Sequence, residues 1–312
     1  MLWPPALWTW LRARLADRRL PYLLALFAVI LCLPALAGGL QLDDQLLRMR
    51  LKVIPSLPGV TGSPMDLFAF IDGDPTKTHA QMDVGSLPWW TLETLRISFW
   101  RPVAVVTHLI DHQLWPGLTW LMHLHSLLWY GAVVFVATLF YRRFIGPGWG
   151  AGLAALLFAV DDAHGMAAGW LANRNALLAA FFGLLAMLAH DRWRREGWRP
   201  GAVIAPLTLL VALLSAEAAA AFAGYFFAYA LFLDQGTVGR RLATLTPAAL
   251  LIVSWRLCYH ALGYGAAGSG LYIDPVRSPL EFARSVFEYV PVLLLGLWGM
   301  VPSDFYFVLT LG

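Results

Sequence analysis

Residues 21–40 read PYLLALFAVILCLPALAGGL, from Pro21 to Leu40 without one charged side chain. A hydrocarbon core of about 30 Å takes about 20 helical residues to cross, so this stretch has the length and composition of a transmembrane helix. Upstream lie Arg12, Arg14, Arg18 and Arg19 among Trp3, Trp8 and Trp10. Basic residues are retained on the cytoplasmic side and Trp favours the headgroup region, so residues 1–20 read as an amphipathic basic stub with a cytoplasmic N-terminus. A cleaved signal peptide is the rival reading. It is set aside because the stub is long, and Ala37-Gly38-Gly39-Leu40 leads into acidic sequence without a small-x-small site.

The whole chain agrees with its first helix. Of 312 residues 59% are apolar and 13% charged, against about 45–50% and about 25% in soluble domains, which excludes a soluble globular protein. Disorder, collagen and a disulfide scaffold are excluded too: aromatic residues make up 14%, no Gly repeat runs through the chain, and Cys32 and Cys258 are the only cysteines. The formal charge of +3 comes mostly from Arg, Lys52 and Lys77 being the only lysines. The basic residues gather beside apolar segments, an orientation signal rather than a nucleic-acid footprint.

The clusters then fix a topology. Leu118–Tyr141 returns across the membrane and ends at Arg142 and Arg143, which stay inside. The next cluster is Arg192, Arg194, Arg195 and Arg199, so the intervening chain crosses twice, with Asp161–Asn175 as its external turn. Ala202–Leu233 is too long for one span and reads as a hairpin of two short helices with Glu217 at the outer tip, bounded by Arg240 and Arg241. Leu242–Leu262 crosses a seventh time, and Val286–Val301 begins an eighth span. Residues 41–117 form a large first extracytoplasmic loop broken by prolines, with Trp89, Trp90, Phe99 and Trp100 beside Arg96 and Arg101 as interfacial helices. Gly263–Arg284 is external, with Gly263–Gly270 as turns, and the final Phe305–Leu311 stops without flanking charge, as if the natural protein continued. The expected fold is an all-α polytopic membrane domain over residues 21–312, with about seven to eight transmembrane helices.

This topology puts Asp43 and Asp44 after the first helix, Asp161, Asp162 and His164 in the second outer turn, and Glu217 at the third, all on one membrane face. A charge at mid-membrane costs about 2.5–3.5 kcal/mol, so acids at successive outer turns point to a functional site.

Leu42-Asp43-Asp44, Phe99-Trp100-Arg101-Pro102, Leu157-Phe158-Ala159-Val160-Asp161-Asp162-Ala163-His164 with Trp170 and Asn173-Arg174-Asn175, and Leu213-Leu214-Ser215-Ala216-Glu217 follow in an order that resembles GT-C membrane glycosyltransferases. The likeness covers residues 20–235 and is nearest to the mannosyltransferase-like branch fused to tetratricopeptide repeats. It implies a GT-C-like bundle, a polyprenyl- or dolichyl-phosphate sugar donor, an extracytoplasmic site and a catalytic carboxylate in the first external loop. By position that carboxylate is Asp43, with Asp44 as a neighbouring support or metal partner. The chain departs from the family at Asp161-Asp162, where His-Pro is usual, at Met166 in place of Glu and at Ala216 in place of Lys, and no repeat of about 34 residues recurs.

A fixed carboxylate suits this chemistry, because it can deprotonate an acceptor hydroxyl and face the positive charge growing at the anomeric carbon. The donor phosphate needs cations, and Arg101, Arg174 and Arg256 are available near the outer interface. His164 shares a turn with two acids and is placed to touch substrate or a divalent ion, where oxygen ligands suit Mg²⁺ or Mn²⁺. His108 and His112 lie one turn apart, with His123 and His125 following, but the zinc-protease His-Glu-x-x-His spacing is absent and they read as interfacial histidines. The expected function is sugar transfer from a lipid-linked donor to a glycan, lipid or protein acceptor, in contact with membrane lipids and without nucleic acid. Composition fits a bacterial inner membrane and a cell-envelope role. The alternatives are a transporter or flippase for a lipid-linked glycan and a catalytically silent membrane scaffold.

Overall fold

The computed structural model describes residues 5–53, 63–270 and 272–296, mostly helical. Its contacts divide the chain into two units, residues 1–56, 61–68 and 100–261 in the first, and 57–60, 69–99 and 262–312 in the second.

The first unit holds α1 (Pro5–Leu15), α2 (Leu20–Leu31), α3 (Asp43–Val53) and, after the second unit's α4 (Pro75–Asp83), α5 (Pro102–Leu114) to α13 (Thr246–Ala261). Between these last two lie α6 (Thr119–Phe144), α7 (Trp149–Val160), α8 (Gly165–Gly169), α9 (Arg174–Glu196), α10 (Gly201–Leu213), α11 (Phe222–Phe232) and α12 (Val238–Ala243). Local sequence sets many of the ends. Pro21 sits in the first turn of α2, where its missing N–H has no helical role, and α9 stops at Gly197 in the left-handed region (φ 69°).

Leu24 and Ala28 of α2, Leu127, Tyr130 and Val134 of α6, Ala155 and Ala159 of α7, Ala168 of α8 and Leu177 of α9 form the core. Small residues bring these helices close, as they do in membranes. A Cβ on Gly131 would lie 2.8 Å from Val29 Cγ2 and 3.2 Å from the Ala25 carbonyl oxygen, and one on Gly152 would collide with the carbonyl of Leu15. On the opposite face of α2, Tyr22, Leu23, Leu26 and Ile30 are exposed.

One end of the bundle is charged. Arg142 donates to the carbonyls of Asp17 (2.9 Å) and Ala16 (3.1 Å), taking up acceptors left just beyond α1. Asp191, fully buried, is paired with Arg143 and Arg195 and accepts from the Tyr229 hydroxyl at 3.0 Å. Arg194 grips Asp234 through two bonds of 2.8 and 3.1 Å. Two basic clusters that the sequence assigns to one side therefore converge.

Among the described residues four helices are long and apolar enough to cross a membrane: Leu20–Ala37, Thr119–Phe144, Leu171–Glu196 and Val238–Ala261. A fifth is met by α7 together with Asp162–Gly169, bent by 48° at the break. Among the described residues the count stops short of seven to eight, because Gly201–Leu213 and Glu217–Phe232, the two limbs of the expected hairpin, are shorter than a bilayer core. The break in the fifth is placed by one bond to α6. Tyr130 donates to the Ala159 carbonyl at 2.9 Å, and Tyr130 lies roughly 16 Å along α6 at 1.5 Å per residue. The end of α7 therefore falls beside the middle of α6. Late in the first loop, α5 buries Ala104, Val105, Thr107, His108 and Asp111 within the first unit.

The second unit contains a three-stranded antiparallel sheet, β1 (Ala69–Asp72), β2 (Arg96–Ser98) and β3 (Gly265–Ala267), in that order. Gly263–Gly270, expected as turns only, supplies β3, with turns at Gly263 (φ 83°) and Gly268 (φ 76°) on either side. Asp74 caps α4 by accepting from the Thr76 N–H at 2.9 Å, and Pro75 opens the helix. Helix α14 (Pro279–Gly296) occupies the start of the expected eighth span and exposes Phe287 and Leu293. Residues 297–301 of that span and the run 305–311 lie outside the described residues.

Gly152→Leu is expected to lower the thermal unfolding midpoint in detergent, because overpacking costs about 1–3 kcal/mol and here the obstacle is backbone. Gly150→Ala on the same helix meets nothing within 4 Å, so the midpoint should hold or rise slightly, by up to about 1 kcal/mol of stability from the lower entropy of the unfolded chain.

Candidate functional site

The chain leaves the first apolar segment through Gly38–Leu42, and this corner aims the acids that follow. Gly39 is left-handed (φ 63°) and so is Leu42 (φ 45°), the only non-glycine in that region among the described residues. A left-handed L-residue costs roughly 1–2 kcal/mol, and Leu42 recovers little by packing, since its side chain is 72% exposed. The strain immediately precedes Asp43 and Asp44 in the first turn of α3, where carboxylates are favoured by the unpaired N–H groups and the helix dipole.

The two aspartates are not equivalent. Asp44 is buried, and its Oδ2 accepts from the Gln41 N–H (3.0 Å), a helix residue reaching back to the N-terminal amide. Its Oδ1 accepts from the Ala172 N–H at 2.7 Å, tying α3 to the chain just before α9. Burial raises its pKa above the usual carboxylate range, and these backbone donors and nearby His123 restrain the rise. His123 in turn contacts the Gly39 carbonyl through Nε2 at 2.7 Å. Asp44 is therefore a joint between segments. Asp43 is half-buried, its pKa also raised by desolvation and restrained by the charge of Arg101.

Arg101 precedes α5 and bonds Glu217 Oε2 through Nε (2.9 Å) and Nη2 (2.8 Å), with its guanidinium 5.4 Å from the centroid of Phe68. The Tyr259 hydroxyl of α13 donates to Glu217 Oε1 at 3.3 Å. Asp43 and Glu217, 174 residues apart, thus share the influence of one guanidinium, Asp43 through its charge and Glu217 through direct bonds, and Tyr259 is an addition that no local pattern marked.

Arg174 sits elsewhere. It is fully buried, with Nη2 2.6 Å from Asp111 Oδ2, and it donates to Ser126 Oγ (2.9 Å) and the Met122 carbonyl (2.9 Å). Asp111 Oδ1 lies 2.6 Å from His125 Nδ1, while Trp129 donates to His125 Nε2 at 3.1 Å. The acceptor role of Nε2 leaves the proton of neutral His125 on Nδ1, directed at Asp111. Both histidine nitrogens are thus engaged within the protein. The Arg174 guanidinium is taken up inside the protein, where an interfacial phosphate ligand was expected. His108, read as interfacial, is buried beside it. Desolvation first, then Arg174, His112 and His125, hold its pKa well below the ordinary value.

Asp161 Oδ1 caps the short turn after α7 by accepting from the Ala163 N–H (3.0 Å), and Asp162 is exposed. His164 packs on Phe158 (centroids 4.3 Å) and Tyr130 (5.7 Å). Among the described residues no hydrogen bond or ion pair joins these three to Asp43. Arg256 lies over Tyr259 at 5.8 Å, on the Glu217 side. Among the described residues no three His, Cys, Asp or Glu side chains converge to hold a metal ion. With both Asp44 oxygens committed to backbone amides, the Asp43-Asp44 pair does not offer Mg²⁺ or Mn²⁺ a ready donor set, and no step below uses one.

Comparison of the chain with family models, with curated proteins and with solved structures finds no match.

Asp44→Ala strands two backbone donors at about 1–3 kcal/mol each, so its unfolding midpoint in detergent is expected to fall well below that of Asp43→Ala. A second outcome follows from His108. Its folded pKa is depressed, so the stability it allows is present above the unfolded value of about 6.5 and is lost as pH falls from there toward the folded pKa. Thermal unfolding between pH 7 and pH 5 should show this loss in the wild type and a smaller one in His108→Phe.

Proposed function

We propose that the chain is an integral membrane glycosyltransferase of GT-C type, moving a sugar from a polyprenyl-phosphate-linked donor to an acceptor hydroxyl on the extracytoplasmic face. The observation that carries this reading is Asp43: a half-buried carboxylate with a raised pKa, on a strained corner, beside an arginine held by Glu217. A raised pKa makes a better base, and a neighbouring guanidinium gives a phosphate somewhere to bind. In this reading Asp43 takes the proton of the acceptor hydroxyl as its oxygen attacks the anomeric carbon. The bond to the donor phosphate breaks, and Arg101 receives the negative charge left on the phosphate. Glu217 and Tyr259 hold Arg101 in place. The charged end formed by Arg142, Arg143 and Arg194 then faces the cytoplasm, and α10 and α11 serve as the short limbs of a hairpin toward the expected seven or eight crossings.

One feature favours a second reading. The α7–α8 break has the form of a discontinuous span, which transporters use at their binding sites. A flippase for a lipid-linked glycan would use the same face for binding alone.

Sugar transfer from polyprenyl-phosphate donors in proteoliposomes separates the two. Asp43→Asn is expected to lower turnover about 10²–10⁴-fold with donor affinity retained, the range for a lost general base. The pH dependence adds a sign. Asp43 acts ionised, so turnover rises with pH through a value above its usual pKa of about 3.9, and Arg101→Met should push that limb further up by removing the restraining charge. Unchanged transfer by Asp43→Asn would remove the base. Donor translocation without transfer in the wild type would favour the transporter.

A further inference from the structure

Below the α7–α8 break, α6, α7, α9 and α11 enclose a cavity of about 510 Å³. Phe158, Ala180, Leu184 and Phe222 make its apolar wall, with His164 and Tyr225 among its few polar members. The Phe222 ring approaches α9 where Gly183 has no side chain, since a Cβ there would overlap the ring. Tyr225 of the lining is 59% exposed, so the space reaches the outer surface at α11. His164 Nδ1 is buried, and no protein atom bonds it.

We propose that this cavity binds one hydrocarbon chain of a membrane lipid, entering sideways past Tyr225, with the first polar group of that chain set against His164 Nδ1. The volume is in the range of built ligand sites, about 300–1,000 Å³. Apolar cavities exclude water and accept hydrocarbon, because a bare wall forfeits the dispersion contacts that a packed chain restores. A water-soluble ligand would find too few polar partners in such a lining. The flanking helices α6 and α9 have spanning length, so the abundant ligand at the opening is the bilayer itself. His164 is the single buried nitrogen in the lining left for a carbonyl or hydroxyl oxygen. The space suits one acyl chain and not the long tail of a polyprenyl carrier. The site is independent of the transferase reading, because none of its lining residues belongs to the Asp43, Arg101 and Glu217 group.

The test uses the full chain in phosphatidylethanolamine–phosphatidylglycerol vesicles doped with palmitic acid carrying a mid-chain diazirine and a terminal alkyne. After irradiation, labelled peptides are mapped by mass spectrometry. Labelling is expected on residues 176–187 of α9 and on Phe222 and Tyr225, above the level on the exposed face of α2 at Tyr22 and Leu26. Ala180→Phe and, separately, Ala137→Leu fill the space and should bring the cavity label down to the α2 level with the fold retained by melting in detergent. His164→Phe should weaken the label without moving it. The same label in both filled variants, or equal labelling of α2 and the cavity in wild type, overturns the proposal. Displacement by polyprenyl phosphate but not by unlabelled palmitic acid also overturns it, since the cavity would then belong to a donor groove.

Discussion

A guanidinium with no exposure to solvent, Arg174, must find its counter-charge within the protein, and Asp111 supplies it. Burial of a lone charge is prohibitive, and removing one partner of such a pair costs about 3–5 kcal/mol, so the two side chains lock α5 to α9. Ser126 and the Met122 carbonyl bring α6 into the same knot. From it the candidate site inherits its frame: α5 is preceded by Arg101, and α9 follows Ala172, whose amide holds Asp44. The arginine is thus structural, and its positive charge, which drew attention in the sequence, serves to fix distances among other groups.

The same economy divides the neighbouring aspartates. Consecutive residues of a helix point about 100° apart, from 3.6 residues per turn, so one of two adjacent acids can face inward while the other stays accessible. Asp44 spends its charge on two backbone amides, and Asp43 stays half-buried under the influence of the Arg101 charge. Glu217, far along the chain, completes the set by holding the arginine, so a carboxylate and a cation coexist in a partly desolvated place without collapsing onto each other.

Much of this could be read from sequence where one physical signal dominated. Uninterrupted apolar length bounded by arginines located α2, α6 and α9, and the meeting of Arg143 with Asp191 and Arg195 agrees with grouping those clusters. Asp43, Arg101 and Glu217 were legible as polar groups at successive segment ends. Asp111 was not, because it stands between His108 and His112 on a helix that composition placed at the interface, and only tertiary packing reveals its partner on α9. The position of the α7 break against α6 was hidden for a similar reason: twelve apolar residues followed by two acids do not show which residue of a neighbouring helix their end will meet. Strand β3 is three small residues, Gly265-Ala266-Ala267, with no alternation to announce it.

That last strand has a consequence for the order of events during synthesis. β2 and β3 pair across the whole helical unit, from Ser98 to Gly265, a separation of 167 residues (265 − 98). At about 5–20 residues per second a ribosome needs on the order of ten seconds or more to traverse that interval. Throughout it β2 has β1 on one side and an unoccupied edge of N–H and C=O groups on the other, while the apolar helices are being made. The three-stranded sheet can therefore close only after the chain beyond α13 has been made, and before that the short β1–β2 pair has only the marginal stability of a two-stranded ribbon.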